Sequence, residues 1–198
     1  NFPCWQVFRF AAPALMAGNA VWLKPSEWPP QTALLLERLF VESGLFPPGL
    51  LQVLPGKGDV GQKVVERADK VLFTGSEKAG RAVYQTAAGN MRHPPVLELG
   101  GKHAMVVFAD APLKRAVSAA VMGAFANSGQ ACIGVERVFV DRKIYAAFVQ
   151  GVLRETAKLR QGLGGGYGVD VGRIIFPGQV GVIARQLDAL MRDNRLTK

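Results

Sequence analysis

The sequence predicts an α/β fold with a doubly wound, largely parallel sheet. Short apolar runs alternate along the chain with longer stretches that have helical periodicity. This alternation is typical of units in which a helix connects each strand to a parallel neighbour. The chain has 198 residues and 49% hydrophobic content, which suffices for one large domain or two small ones with apolar cores.

The first half of the sequence predicts strands and helices in alternation. A helix with irregular ends fits the apolar stretch that contains Pro3 and Pro13. Pro30 suits the start of the second helix and Gly44 its end, because proline is tolerated in a first helical turn and glycine adopts the conformation that follows the last one. Helices are expected at 2–16, 32–43, 59–67 and 78–88, and strands at 20–23, 50–54, 70–73 and 96–99.

The second half continues the alternation with fewer strands. Asp110 and Pro112 suit the start of an alanine-rich helix whose small side chains permit close packing. The glycine-rich segment 162–168 predicts a mobile loop rather than regular structure. Strands are expected at 104–108 and 137–140, and helices at 113–126, 144–159 and 178–194.

A carboxylate and a thiol, Glu98 and Cys132, lie in turns flanked by glycine. A thiol becomes a strong nucleophile as thiolate, which requires access and a favourable local field. Gly129 and Gly134 allow the backbone around Cys132 to bend tightly and a substrate to come close. Simple packing in the core is the alternative for the thiol, and an exposed surface position is the alternative for Glu98.

Five short motifs occur in one order along the chain. They are Asn1-Phe2-Pro3, Lys24-Pro25-Ser26-Glu27, Phe73-Thr74-Gly75-Ser76 followed by Gly80, Glu98-Leu99-Gly100-Gly101-Lys102, and Gly129-Gln130-Ala131-Cys132. Their order and spacing resemble the aldehyde dehydrogenase superfamily. The resemblance extends from residue 1 to at least residue 140.

The resemblance implies an oxidoreductase that oxidises an aldehyde to a carboxylic acid with NAD through a cysteine thioester. It assigns the nucleophile to Cys132, the general base to Glu98, and part of the oxyanion-stabilising site to the Asn1 amide. It also implies that residues 1–101 are part of a dinucleotide-binding domain. Residues 102–198 would then be the first part of a catalytic domain that carries the nucleophile.

The resemblance also implies a set of cofactor-binding residues. They are Lys24, Glu27, Gly56, Phe73, Gly75, Ser76, Leu99 and Gly100. Lys24 and Glu27 resemble the pair that holds the adenosine ribose. Because a carboxylate accepts hydrogen bonds from ribose hydroxyls and repels a 2′-phosphate, Glu27 favours NAD over NADP.

Two of these assignments have structural alternatives. The G-x-G-x-x-G pattern at 56–61 resembles a phosphate-binding loop, but a tight strand-to-helix turn explains it as well. The segment 74–80 is the better phosphate candidate, because a strand there gives way to a helix amino terminus with unpaired N–H groups. Ser76 could cap that helix without touching a ligand.

Composition argues against several other classes of protein. The net charge of +9 comes from scattered Lys and Arg, so the sequence predicts no nucleic-acid partner. Pro13 and Asn19 interrupt the longest apolar candidate, 10–23, which argues against a membrane span. Two cysteines and two histidines give neither a disulfide framework nor a metal site, and a thiol enzyme favours a reducing compartment such as the cytoplasm.

The chain begins with Asn inside a motif, and full-length members of the resembled family are more than twice as long. We therefore expect a fragment that is inactive or nearly so alone, from a protein whose relatives are homo-oligomeric. The substrate would be a small-molecule aldehyde. Two alternatives stay open: a non-catalytic remnant that binds dinucleotide or a partner, and a Cys132-dependent esterase or acyl-transfer activity.

Overall fold

The computed structural model describes residues 1–89, 93–163 and 167–193, and within them helices and strands alternate as the sequence predicts. The strands, β1 to β6, are Val21–Leu23, Leu51–Val53, Leu72–Thr74, Val96–Glu98, His103–Val107 and Val135–Val140. The helices, α1 to α7, are Pro3–Met16, Pro30–Glu42, Gly58–Arg67, Glu77–Gly89, Leu113–Phe125, Tyr145–Thr156 and Pro177–Arg192. The predicted α/β class is confirmed. Parts of the predicted loop 162–168 and of the last helix, 178–194, lie outside the described residues.

All strand pairs among the described residues are parallel. β1 pairs with β2, β3 with β4, and β5 with β6, so the strands associate two by two in this part of the chain. In the β3–β4 pair, Leu72 lies opposite Val96 and Thr74 opposite Glu98. Because parallel strands end at the same edge, the residues that follow β3 and β4 come together.

The chain divides into two compact units, Asn1–Gly100 and Gly101–Lys198. Residues from α1, α2 and β2 form the core of the first unit: Val7, Ala11, Ala33, Leu36, Leu51 and Val53. Residues from β5, α5 and α6 form the core of the second: Val107, Ala116, Val117, Ala120 and Phe148. The division into a cofactor-binding and a catalytic domain stays a prediction.

The close approach of α5 and α6 explains the alanine-rich sequence of α5. A Cβ added at Gly151 of α6 would lie 2.7 Å from Val117 Cγ2 of α5, so the two helices meet with little side-chain volume between them. By contrast, α7 buries none of its described side chains. Within the described ranges, no helix is both long and apolar enough to cross a bilayer.

An ion pair closes the segment between α6 and α7. Arg160 binds Asp170 with two nitrogens, Nε to Oδ2 at 2.9 Å and Nη2 to Oδ1 at 3.0 Å, and the Asp170 N–H donates to the Arg160 carbonyl at 2.9 Å. The side-chain hydrogen bond from Arg160 lowers the pKa of Asp170 to about 2.

This pKa predicts how acid changes the contribution of Asp170 to stability. A carboxylate with a depressed pKa in the folded state stabilises the fold above its unfolded pKa of about 3.9, and loses that contribution as the pH falls towards about 2. Thermal unfolding of the wild type and Asp170→Asn, followed from neutral pH to about pH 2, should give midpoints that converge only below about pH 4. A difference between the midpoints that does not change with pH would contradict this assignment.

Candidate active site

Glu98 ends β4, and its main chain is fixed by the neighbouring strand. The Gly75 N–H donates to the Glu98 carbonyl oxygen at 3.0 Å. The side chain is 48% exposed, and Oε1 lies 3.4 Å from Arg9 Nη2. The carboxylate is therefore accessible to a water molecule while one of its oxygens faces a cation.

The turn after β3 is tight and contains two of the predicted cofactor residues, Gly75 and Ser76, and a third, Phe73, lies in β3 itself. A Cβ at Gly75 would lie 2.5 Å from Phe73 Cζ, so a larger residue at this position requires the Phe73 ring to move. Ser76 Oγ accepts a hydrogen bond from the Ala79 N–H at 3.3 Å, which is the capping bond that the sequence allows. Because a hydroxyl can donate as well as accept, Ser76 can still donate a hydrogen bond to a ligand.

Leu99 and Gly100 continue the same edge of the β3–β4 pair. A Cβ at Gly80 would lie 2.6 Å from Leu99 Cδ2, so the first turn of α4 packs directly on Leu99. Apart from the two neighbouring residues in the chain, no heavy atom of the described residues lies within 4 Å of a Cβ placed at Gly100. The structure therefore brings Phe73, Gly75, Ser76, Glu98 and Leu99 together around the carboxyl ends of β3 and β4.

Lys24 and Glu27 form a second group after β1. Lys24 Nζ lies 3.7 Å from Glu27 Oε2, and the two side chains are 19% and 50% exposed. Gly56 has φ +153°, and a Cβ there would lie 2.4 Å from Val60 Cγ2. The tight strand-to-helix turn therefore requires glycine at position 56 by itself, and a contact with phosphate is not needed to explain this residue.

The loop that carries the thiol, residues 126–134, has an unusual backbone. Asn127, Ser128 and Gly129 have φ of 53°, 58° and 71°, three left-handed residues in succession before Cys132. For a non-glycine residue this conformation costs on the order of 1–3 kcal/mol, so contacts with the rest of the unit must hold it. Cys132 is half-buried and makes no disulfide.

Side-chain hydrogen bonds hold this thiol loop in place. Asn127 Nδ2 donates to the Gln130 carbonyl at 3.1 Å, and Gln130 Nε2 donates to the Asn127 carbonyl at 3.2 Å. Ser128 Oγ donates to the Gly172 carbonyl at 3.0 Å, and Gln130 Oε1 accepts the Ile175 N–H at 2.9 Å. The loop before the thiol is thereby tied to the segment that precedes α7.

Removal of the Gln130 side chain should loosen this link. Gln130→Ala leaves the Ile175 N–H without its acceptor, which costs about 0.5–1.5 kcal/mol and should accelerate hydrogen exchange of the Ile175 amide by roughly 2- to 10-fold. Gln130→Glu is the matched control because it keeps an acceptor at the same place. An Ile175 exchange rate in Gln130→Ala equal to that of the wild type would refute the link.

The three predicted catalytic residues belong to different units. Asn1 and Glu98 lie in the first unit and Cys132 in the second, so their convergence on one cleft stays a prediction. Asn1 is exposed and precedes Phe2, which has φ 49° at the start of α1. Within the described residues, no group of three or more His, Cys, Asp and Glu side chains could hold a metal ion.

Sequence reasoning missed two residues of these groups. No motif marks Arg9, and only the three-residue spacing of Gln6 and Arg9 on a helix indicates a shared polar face. Gln130 lies inside a recognised motif, but the sequence gives no sign of its bond with Ile175. Both roles depend on contacts between segments that are distant in the sequence.

The sequence of the chain is similar to a protein family and to individual enzymes of known sequence. The sequence matches the aldehyde dehydrogenase family over residues 1–193. It is 42% identical over 186 residues to betaine aldehyde dehydrogenase of Cereibacter sphaeroides, which covers 91% of this chain and 37% of that protein.

The fold of the chain is also similar to solved structures. Betaine aldehyde dehydrogenase of Staphylococcus aureus in complex with NAD+ has a TM-score of 0.89 at 31% identity, covering 96% of this chain and 38% of that one. An NADP-dependent enzyme of E. coli has a TM-score of 0.90 at 33% identity, covering 97% and 40%. The chain thus spans between 37% and 40% of the length of these three proteins.

Proposed function

The chain belongs to the aldehyde dehydrogenase family, and we propose that the whole protein in which it occurs oxidises an aldehyde to a carboxylic acid with NAD. The observation that carries this proposal is the thiol loop. Cys132 is half-buried and unbridged, and it follows three left-handed residues that hydrogen bonds to Gly172 and Ile175 support. A strained loop that holds a half-buried, unbridged thiol suits a nucleophile better than a packing cysteine.

In the first step, Cys132 Sγ as thiolate attacks the carbonyl carbon of the aldehyde, and the π electrons of the carbonyl move to its oxygen. The Cys132 N–H and the Asn1 side-chain amide would donate hydrogen bonds to this oxyanion. Loss of one such donor typically lowers the rate roughly 10²- to 10³-fold. NAD, when bound, would supply the acceptor for a hydride from the same carbon. Cys132 would then hold the acyl group as a thioester.

Glu98 would serve the second step. Its half-exposed carboxylate takes a proton from water, the oxygen of that water bonds to the acyl carbon, and the Cys132 thiolate leaves. The products of this step are the carboxylic acid and the regenerated thiolate.

The residues around the strand ends fit a dinucleotide. A side chain at Gly75 would collide with the Phe73 ring, Ser76 can donate a hydrogen bond, and the positive amino-terminal end of α4 begins at the same turn. Glu27, held beside Lys24, could accept hydrogen bonds from ribose hydroxyls and repel a 2′-phosphate. These features support NAD as the preferred cofactor, with NADP as the poorer one.

The 198-residue polypeptide alone should have little or no turnover, because it spans 37% of the length of the Cereibacter relative.

We propose that the whole protein is homo-oligomeric and works in a reducing compartment such as the cytoplasm, where a catalytic thiol persists. Its substrate is a small-molecule aldehyde, and neither nucleic acid nor a membrane is part of the reaction.

The proposal is tested by adding NAD or NADP and a panel of aldehydes to the whole protein, and following the absorbance of reduced nicotinamide. Reduction that depends on both the aldehyde and the cofactor, and is faster with NAD, is the expected result. Ester hydrolysis without nicotinamide reduction would favour a Cys132-dependent esterase instead. Dinucleotide binding without either reaction would favour a non-catalytic remnant.

A further inference from the structure

Two side chains of α1 reach the paired ends of β3 and β4. Gln6 and Arg9 are three residues apart and therefore share one face of the helix. Thr74 Oγ1 donates to Gln6 Oε1 at 3.1 Å, and Arg9 Nη2 lies 3.4 Å from Glu98 Oε1. Because Thr74 and Glu98 are opposite each other in the parallel register, two neighbouring residues of α1 contact two neighbouring strand residues.

The surroundings of Arg9 leave Glu98 as its counter-ion. The Arg9 side chain is 20% exposed, and its guanidinium carbon lies 4.3 Å from the centre of the Phe10 ring. Among the described residues, Nε and Nη2 are buried and have no hydrogen-bond acceptor in bonding geometry. A guanidinium removed from water in this way needs a nearby anion, and the Glu98 carboxylate lies at ion-pair distance.

We propose that Arg9 is a positioning residue, which orients the Glu98 carboxylate for the hydrolysis of the acyl-enzyme. This inference rests on the proposed function of Glu98. A half-exposed glutamate samples several rotamers, and a base is effective only within hydrogen-bond reach of its water. The guanidinium restrains one oxygen of Glu98. The Gln6 side chain adds a second contact between α1 and the same strand pair, at Thr74.

The test uses the whole protein, with Arg9→Gln, Arg9→Lys and the control Arg38→Gln. Arg38 makes an exposed ion pair with Glu42 on α2 and serves as the matched loss of an arginine. In each variant, the burst of reduced nicotinamide counts the competent sites, and the later steady rate is divided by that amplitude. The quotient is the turnover per competent site, which a loss of folded protein leaves unchanged.

Arg9→Gln should keep the rate of the burst and lower the turnover per competent site roughly 10-fold, since the base is still present but poorly oriented. Arg9→Lys keeps the positive charge but lacks the planar guanidinium. It should recover part of this loss, with a turnover per competent site roughly 3-fold below that of the wild type. Arg38→Gln should match the wild type.

Wild-type turnover per competent site in Arg9→Gln would overturn the role of Arg9, as would a slower burst in place of slower steady turnover. If Arg9→Gln yields no competent sites, Arg9→Lys decides in the same way, because an unchanged quotient there also overturns the proposal. A wild-type protein that reduces no nicotinamide would instead refute the proposed function itself.

Discussion

Cys132→Ser is expected to abolish the burst of reduced nicotinamide that the whole protein gives with NAD and an aldehyde. A serine hydroxyl ionises far less readily than a thiol at neutral pH, so the carbonyl carbon loses its nucleophile before any hydride can leave. Removal of a nucleophile that works as a unit with its neighbours typically costs on the order of 10³-fold or more in rate. Stopped-flow absorbance of reduced nicotinamide measures this loss.

Cys4→Ser is the matched control for this substitution. Cys4 is exposed in the first turn of α1 and is the second cysteine of the chain, so its replacement tests whether a thiol in general is needed or Cys132 in particular. The burst of Cys4→Ser should equal that of the wild type. A full burst in Cys132→Ser would remove the thiol from the reaction and favour a different nucleophile.

Glu98→Gln is expected to separate the two steps of the reaction. The amide keeps the size of the side chain but cannot take a proton from water, so the acyl group should form on Cys132 and then persist. The burst amplitude should match that of the wild type, and the steady rate should fall roughly 10²- to 10⁴-fold. Both quantities come from one stopped-flow trace.

Glu42→Gln controls for the loss of a carboxylate. Glu42 forms an exposed ion pair with Arg38 on α2, and its replacement should leave both phases unchanged. Loss of the burst in Glu98→Gln would show that Glu98 acts before hydride transfer. Its assignment to hydrolysis of the thioester would then be wrong.

The arrangement of elements could be predicted from the sequence because alternation of apolar runs and helical periodicity is a local signal. Parallel pairing followed from the helix between successive strands, and it is observed for β1–β2, β3–β4 and β5–β6. The β6 strand begins at Val135, earlier than the predicted 137, since its first residue pairs with His103. Such boundaries depend on the partner strand, which periodicity does not reveal.

Some features of the candidate site could likewise be predicted from local sequence, and others depend on contacts between distant segments. Gly75 and Ser76 were predicted from a strand-to-helix turn, a signal that lies within a few residues of sequence. The left-handed Asn127 and Ser128 were not predicted, because nothing local favours this conformation at both positions. Bonds to the segment before α7 support it, and only the folded unit brings that segment to the loop.

The central claim is that Cys132 forms the thioester. It is tested most directly by peptide mapping with mass spectrometry. The sample is Glu98→Gln protein, quenched after one turnover with aldehyde and NAD. The account predicts an acyl group on Cys132, and only when NAD is present. In this group the substrate carbonyl carbon is bound to the sulfur in place of the thiol hydrogen. An unmodified Cys132 after nicotinamide has been reduced, or an acyl group on Cys4 instead, would contradict the account.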